Sequence, residues 1–71
     1  MLKFESHQFV VDDAGIDPTG GIEVFEANSI EQAVDLVIKS KEIDGYTVSQ
    51  GNTGRTIKAG NFWYAIVPSK R

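Results

Sequence analysis

Only one segment of this chain has the hydrophobic period of an α-helix, and that segment constrains the fold more than any other feature. Asn28 and Ser29 are both common N-cap residues, and Gln32 follows Ser29 at the spacing of a capping box. Asn28 with Glu31 offers the same spacing one residue earlier. Beyond this start, one helical face carries the residues Ile30, Ala33, Val34, Val37, Ile38 and Lys41. A helix with such an apolar stripe has to bury it, and the rest of the chain offers only strands.

The remaining segments have the alternation and turn residues of short strands. Five strands are predicted, over residues 2–11, 22–27, 46–50, 55–59 and 62–67. A bulge is expected at residues 6–8, because the apolar residues change there from even-numbered to odd-numbered positions. Residues 12–21 are predicted to form a mobile loop. Gly45 is expected to end the helix, and Pro68 the last strand. The predicted fold class is α+β, with the order ββαβββ, an antiparallel sheet of about five strands and one amphipathic helix on one face, in a single domain spanning residues 1–71.

Composition removes several classes of function. The chain has 71 residues and no cysteine, so it supports one core and carries neither disulfides nor thiolate metal sites. It has no apolar run of about 18 residues, the length that crosses a membrane, and its first residues lack the basic and apolar regions of a signal peptide. The sequence therefore predicts a cytoplasmic protein with no membrane partner and no cofactor.

The charges are distributed unevenly along the chain. Residues 1–44 hold all ten acidic residues against three lysines, a balance of −7, whereas residues 45–71 hold four basic residues and no acid, a balance of +4. The two halves could present faces of opposite sign that steer the chain towards a charged partner, or a sheet could interleave them and dilute the contrast. Mimicry of DNA by the acidic half is a further alternative, and it requires those carboxylates to lie on one surface.

The last predicted strand is the clearest candidate for a binding surface. It is apolar or aromatic at every position, although one helix covers only one face of a sheet. One of two alternating sets must lie on the other face, either Trp63, Ala65 and Val67 or Phe62, Tyr64 and Ile66. Exposed aromatic residues flanked by Arg55, Lys58 and Asn61 would suit docking on a protein or stacking on single-stranded bases. The alternative is that a curled strand buries them.

The other motifs have ordinary structural interpretations. Residues 51–54 have GxxG spacing, but they join two predicted strands, so we interpret them as a glycine-rich hairpin rather than a clamp for nucleic acid. Asp12, Asp13 and Asp17 lack the spacing of a calcium loop, and His7 has no neighbour at metal-ligand spacing. No nucleophile elbow surrounds any serine. The sequence therefore predicts no catalytic residue and no metal site.

Around the start of the helix and in the last strand, the chain resembles a family of small phage-encoded anti-CRISPR proteins, the ninth-numbered family of inhibitors of type I-F systems. The matching residues, over about half of the chain, are Glu26, Ala27, Ser29, Gln32, Ala33, Lys39, Gly45, Trp63 and Ala65. The resemblance implies a five-stranded antiparallel sheet flanked by one helix, and an inhibitor that docks on the backbone subunits of the crRNA-guided surveillance complex and obstructs the access of DNA. Lys39 carries over as a candidate contact. Lys41 replaces a glutamine of the family, and Val34 and Asp35 replace a basic pair.

These observations lead to one main hypothesis and one alternative. The main hypothesis is a non-enzymatic inhibitor or adaptor that binds a protein or ribonucleoprotein complex of the host, such as a CRISPR surveillance complex. The alternative is a small module that binds single-stranded nucleic acid through the basic, aromatic C-terminal meander, and a homodimer is compatible with either. The candidate contact residues are Lys39, Lys41, Arg55, Lys58, Asn61 and Trp63.

Overall fold

The predicted α+β fold is confirmed. The computed structural model describes residues 1–70, which form one helix and six strands in a single antiparallel sheet. The elements in chain order are β1 (Leu2–Asp12), β2 (Gly15–Pro18), β3 (Glu23–Ala27), α1 (Ile30–Ser40), β4 (Thr47–Gln50), β5 (Arg55–Ala59) and β6 (Phe62–Pro68). Within the described residues, no helix is long and apolar enough to cross a membrane.

The sheet is assembled on β1. Its eleven residues pair with β6 along one edge, while the other edge is shared by β3, which pairs with residues 2–6, and β2, which pairs with residues 9–12. Beyond β6 the sheet continues through β5 to β4, which is the predicted C-terminal meander. Strands β1, β2 and β3 form one half of the sheet and β4, β5 and β6 the other, joined where β1 pairs with β6. The sheet therefore does not interleave the acidic and basic halves of the chain, and the charge contrast runs across the sheet from one edge to the other rather than between its two faces.

The prediction of one loop over residues 12–21 is wrong, because part of this segment forms β2. Asp12 closes a tight turn in which its Oδ1 accepts a hydrogen bond from the Ala14 N–H at 2.9 Å. Gly15 then takes a φ of 130°, which side chains disfavour, and the chain returns along β1. The turn residues therefore build a hairpin and a short connection, and the order of elements becomes βββαβββ.

The bulge expected at residues 6–8 is also absent. β1 pairs with β6 in one unbroken register over residues 4–10. Ser6 occupies a position that faces the helix, where it is only 4% exposed, so a polar residue interrupts the apolar pattern without any insertion in the strand. The apolar residues change from even to odd positions for another reason. β1 places Phe4 on the helix side near its start and Phe9 on the opposite face further along.

The helix starts as predicted. Ser29 is the N-cap, with an extended backbone (φ −154°, ψ 166°), and its Oγ accepts a hydrogen bond from the Gln32 N–H at 3.1 Å. The Gln32 Oε1 in turn accepts one from the Asn28 N–H at 2.6 Å, one residue before the usual partner in a capping box. Two backbone N–H groups at the junction between strand and helix are therefore paired with side chains.

The helix ends before the residue that the sequence indicates. Glu42 adopts a left-handed φ of 52°, three residues ahead of Gly45. The Glu42 N–H donates to the Lys39 carbonyl at 3.3 Å, and the Ile43 N–H donates to the Ile38 carbonyl at 2.9 Å, which together form a Schellman motif. The residue that terminates α1 is therefore a glutamate in a conformation that favours glycine.

The hydrophobic core lies between α1 and one face of the sheet. Its buried side chains are Phe4, Ala27, Ala33, Val34, Val37, Ile57, Tyr64 and Ile66. The three helix residues in this set lie on the predicted apolar stripe, so the orientation of the helix is confirmed. No helix of the described chain covers the opposite face of the sheet, which we name the uncovered face.

Candidate binding surface on the uncovered face

The structure decides which side chains of β6 lie on the uncovered face. Tyr64 and Ile66 belong to the core beneath α1, with relative exposures of 8% and 0%. Because side chains alternate along a strand, Trp63, Ala65 and Val67 point the other way, and each of them is partly buried. Of the two alternatives that the sequence left open, the set containing Trp63 therefore lies on the uncovered face.

Trp63 is the centre of a row of side chains that crosses the sheet. The strand registers place Phe9 of β1 opposite Trp63 on one side and Lys58 of β5 opposite it on the other. The row continues outward to Pro18 of β2 and to Thr47 of β4. We name these five residues the aromatic row.

Lys58 lies over the indole ring of Trp63. Its Nζ is 4.6 Å from the ring centroid, within the range of a cation–π interaction. Such a contact contributes about 0.5–1 kcal/mol at an exposed position, and it holds the aliphatic part of the lysine against apolar surface. Phe9 and Trp63 thus form an apolar surface with a positioned cation at its border.

Apolar surface extends from the aromatic row towards the turn between β1 and β2. Val11 is the next residue of β1 on this face, and Ile16 opposite it is 54% exposed. A recess of about 350 Å³ lies beside Phe9, and its lining consists of His7, Gln8, Phe9, Pro18, Gly20 and Ile22. Protein interfaces concentrate their binding energy where aromatic anchors adjoin pockets of this kind.

The other end of the uncovered face is polar. The Glu5 Oε1 and the His7 Nε2 are 3.0 Å apart, and the Ser69 Oγ donates to the Glu5 Oε2 at 2.9 Å. In a Ser-His-acid triad the imidazole lies between the hydroxyl and the carboxylate and takes the proton of the hydroxyl. Here the carboxylate lies between the other two groups. The cluster ties the end of β6 to β1, and its order is not that of a nucleophile beside its general base.

Three of the six predicted contact residues lie at one end of the uncovered face. Lys58 and Trp63 share the aromatic row. Asn61 lies in the turn that precedes Trp63, where its carbonyl accepts a hydrogen bond from the Val11 N–H at 2.7 Å. The side chain of Asn61 is exposed at this end of the sheet.

The other three predicted contact residues lie elsewhere. Arg55 and Lys58 are three positions apart on β5, so Arg55 faces the helix side, where it lines a groove with residues of α1. Lys39 is exposed in the last turn of α1, and Lys41 caps that helix and forms an ion pair with Glu23. The six predicted residues therefore do not form one continuous surface.

Phe9 is the aromatic residue of this surface that the predicted contact set leaves out. The sequence does indicate Phe9, because the apolar residues of the first strand change there from even to odd positions. A bulge and a change of the apolar face produce the same pattern, and only the pairing of β1 with β6 distinguishes them.

The acidic residues of the first half do not share a surface. Asp17 and Glu23 occupy positions of β2 and β3 that face the helix side, whereas Glu26 lies on the uncovered face. Glu31 and Asp35 line a groove between α1 and β4. The alignment that mimicry of DNA requires is not observed. Within residues 1–70, no group of three or more His, Asp or Glu side chains is placed to hold a metal ion.

Comparison with protein-family models finds no match to this chain. A search of curated proteins finds no matching relative, and a search of solved structures finds no matching structure. The partner of the uncovered face has to be inferred from the chemistry of the aromatic row and from the resemblance carried by the sequence.

Proposed function

We propose that this chain is a non-enzymatic binding protein that docks on a protein partner through the uncovered face of its sheet, with Trp63 at the centre of the contact. The aromatic row carries this proposal, because Trp63 and Phe9 are directly opposed on the face that α1 leaves uncovered and Lys58 borders them. Tryptophan is among the residues that dominate binding energy at interfaces, above all where it adjoins a pocket. Trp63 supplies such an anchor, and the recess lies beside Phe9, the residue opposite it.

The charge of the uncovered face favours a protein over a nucleic acid as the partner. On this face the carboxylates of Glu5 and Glu26 offset the ammonium groups of Lys3 and Lys58, and the chain has a net charge of −3, so the electrostatic attraction for phosphate is weak. Binding of single-stranded nucleic acid is the second candidate, because aromatic side chains on adjacent strands also suit the stacking of bases.

The proposed partner is a host defence complex of the CRISPR type. The resemblance to small anti-CRISPR proteins implies docking on the protein backbone of a crRNA-guided surveillance complex. A bound chain would obstruct DNA by occupying that surface. Inhibition by occupancy needs binding energy and no chemistry.

Binding to a purified type I-F surveillance complex tests this proposal. We expect the parent chain to bind the complex in biolayer interferometry and to reduce its binding of target DNA. Trp63→Ala should weaken binding by about 30-fold or more, as a hot-spot truncation of about 2 kcal/mol does. Phe62→Ala is the matched control, because Phe62 is the adjacent aromatic residue, is 44% exposed and lies on the helix side. It should bind within about threefold of the parent, the effect of a peripheral contact.

Three results would count against parts of the proposal. Equal losses for the two variants, with both folded by circular dichroism, would reject the uncovered face as the binding surface. A parent chain that does not bind would reject this defence complex as the partner. Saturable binding of a labelled single-stranded oligonucleotide that weakens steeply with added salt would support the second candidate instead.

A further inference from the structure

One edge of β3 has unpaired backbone groups, and the hydrogen bonds of β1 show which ones. The Val11 N–H donates to the Asn61 carbonyl, at the start of β6, whereas the Gln8 carbonyl accepts from the Thr19 N–H on the opposite side. Bonding directions alternate along an antiparallel strand. The backbone N–H and C=O groups of odd-numbered residues of β1 therefore form hydrogen bonds with β6, and those of even-numbered residues form them with β2 and β3.

The same alternation fixes the orientation of β3. Even-numbered residues of β1 face odd-numbered residues of β3, as Phe4 faces Phe25. The N–H and C=O groups of Val24 and Glu26 therefore point away from β1. Among the described residues, no strand pairs with that side of β3. The edge offers two backbone donors and two acceptors to an incoming strand.

β3 is the longest of the three edge strands, and its only charged side chains are Glu23 and Glu26. Native proteins block exposed edges with proline, lysine, bulges or very short strands. β2 ends in Pro18, and both β2 and β4 have only four residues. β3 has five residues with neither proline nor lysine, and it pairs with β1 in an unbroken register.

Apolar side chains lie on both sides of this edge. Val24 is 46% exposed on the uncovered face, and Leu36 of α1 is 41% exposed on the helix side. A groove of about 270 Å³ lies between α1 and β3. Phe25, Leu36 and Val37 supply apolar lining, and the ion pair of Lys41 with Glu23 lies beside them. A strand added here would find backbone partners at its centre and apolar contacts above and below.

We propose that this edge pairs with β3 of a second copy of the chain, antiparallel about a twofold axis at Phe25. In this register Val24 of each copy faces Glu26 of the other, so the four backbone groups of each edge are satisfied. Glu23 of each copy faces Ala27 of the other. No carboxylate faces another carboxylate, whereas a register centred on Glu26 would oppose two of them. The edge is therefore complementary to itself, as a twofold interface requires.

This pairing leaves the aromatic row accessible. The two sheets join side by side, so the uncovered faces of both copies lie on the same side of one twelve-stranded sheet. Each copy contributes one row centred on Trp63, and α1 of each copy lies on the other side. The inference does not depend on the proposed function, since it concerns a different edge and a different partner.

The oligomeric state of the intact chain tests the inference. We expect sedimentation equilibrium to show a reversible dimer of the parent. Val24→Pro should give a monomer with an unchanged circular-dichroism spectrum, because the Val24 N–H points outward and its loss breaks no bond within the sheet. Val48→Pro is the matched control on β4. Val48 is 44% exposed, and its N–H also points away from the neighbouring strand, so this variant should remain a dimer.

A second variant keeps the test decisive if Val24→Pro does not fold. Leu36→Lys leaves the backbone intact and places a charge beside Phe25 and Val37 in this groove, so it should also give a monomer. A parent that stays monomeric up to on the order of 1 mM, the weak end of specific association, would overturn the inference. A dimer that survives both Val24→Pro and Leu36→Lys would place the interface elsewhere and overturn it too. A monomeric parent whose Val24 amide becomes protected from exchange only with the surveillance complex would assign the edge to a foreign strand.

Discussion

Phe9 and Trp63 lie directly opposite each other on adjacent strands, on the face of the sheet that α1 does not cover. They come from opposite ends of the chain, so this pair exists only when β1 and β6 are joined. The pairing of these strands extends over residues 4–10 of β1, so the surface lies at the centre of the sheet. A contact surface built on strands is ordered before binding, which reduces the entropic cost of association.

Val37→Asp should unfold the domain. Val37 is 6% exposed in the core, so an aspartate there would be buried without a partner at a cost of several kcal/mol. A chain this short has a total stability of about 5 kcal/mol or less. Circular-dichroism melts measure the effect, with Lys39→Asp as the control at an exposed position of the same helix, where we expect a loss below about 1 kcal/mol. A Val37→Asp variant that melts like the parent would show that the helix face is assigned wrongly.

Gly54→Ala should destabilise the domain much more than Gly51→Ala. A Cβ on Gly54 would lie 2.2 Å from the Ile66 carbonyl oxygen, whereas one on Gly51 would meet no atom closer than 3.6 Å. The oxygen belongs to the backbone of β6, so it cannot move without disturbing the pairing with β5, and we expect a loss of about 1–3 kcal/mol. Urea unfolding midpoints give the comparison. Equal losses would mean that β5 and β6 do not approach each other in this way.

Glu42→Gly should stabilise the domain by about 0.5–1 kcal/mol, because glycine adopts the left-handed φ of 52° without the strain that a side chain causes. Glu42→Ala removes the carboxylate and keeps that strain, so it separates the effect of charge from the effect of conformation. Thermal melts of the two variants decide the matter. Equal midpoints would contradict the Schellman motif as the end of α1.

The sequence predicts those parts of the fold that depend on local chemistry. Ser29 and Gln32 indicate the start of the helix by their hydrogen-bonding groups, and periodicity identifies its buried face. The end of the helix is harder, since Glu42 takes a conformation for which Gly45 is the better candidate, and the hydrogen bonds around it compensate for the strain. The hairpin within residues 12–21 is also hard to predict, because the same turn-forming residues occur in loops and in hairpins.

The candidate binding surface depends on pairing between distant strands, which the sequence does not reveal. The last strand is apolar on both faces, so its pattern cannot say whether Trp63 or Tyr64 lies beneath the helix. Arg55 and Lys58 look like neighbours in the sequence, but alternation along β5 places them on opposite faces. The unpaired groups of Val24 and Glu26 follow only from the complete hydrogen-bonding pattern of β1.

The single tryptophan provides the most direct test that the uncovered face is the binding surface. Incorporation of 5-fluorotryptophan gives one ¹⁹F resonance, from Trp63, because the chain contains no other tryptophan. We expect this resonance to shift or broaden, in proportion to occupancy and until saturation, as purified type I-F surveillance complex is added. A resonance that keeps its position and width, while interferometry shows that the labelled chain binds the complex, would contradict the assignment of Trp63 to the interface.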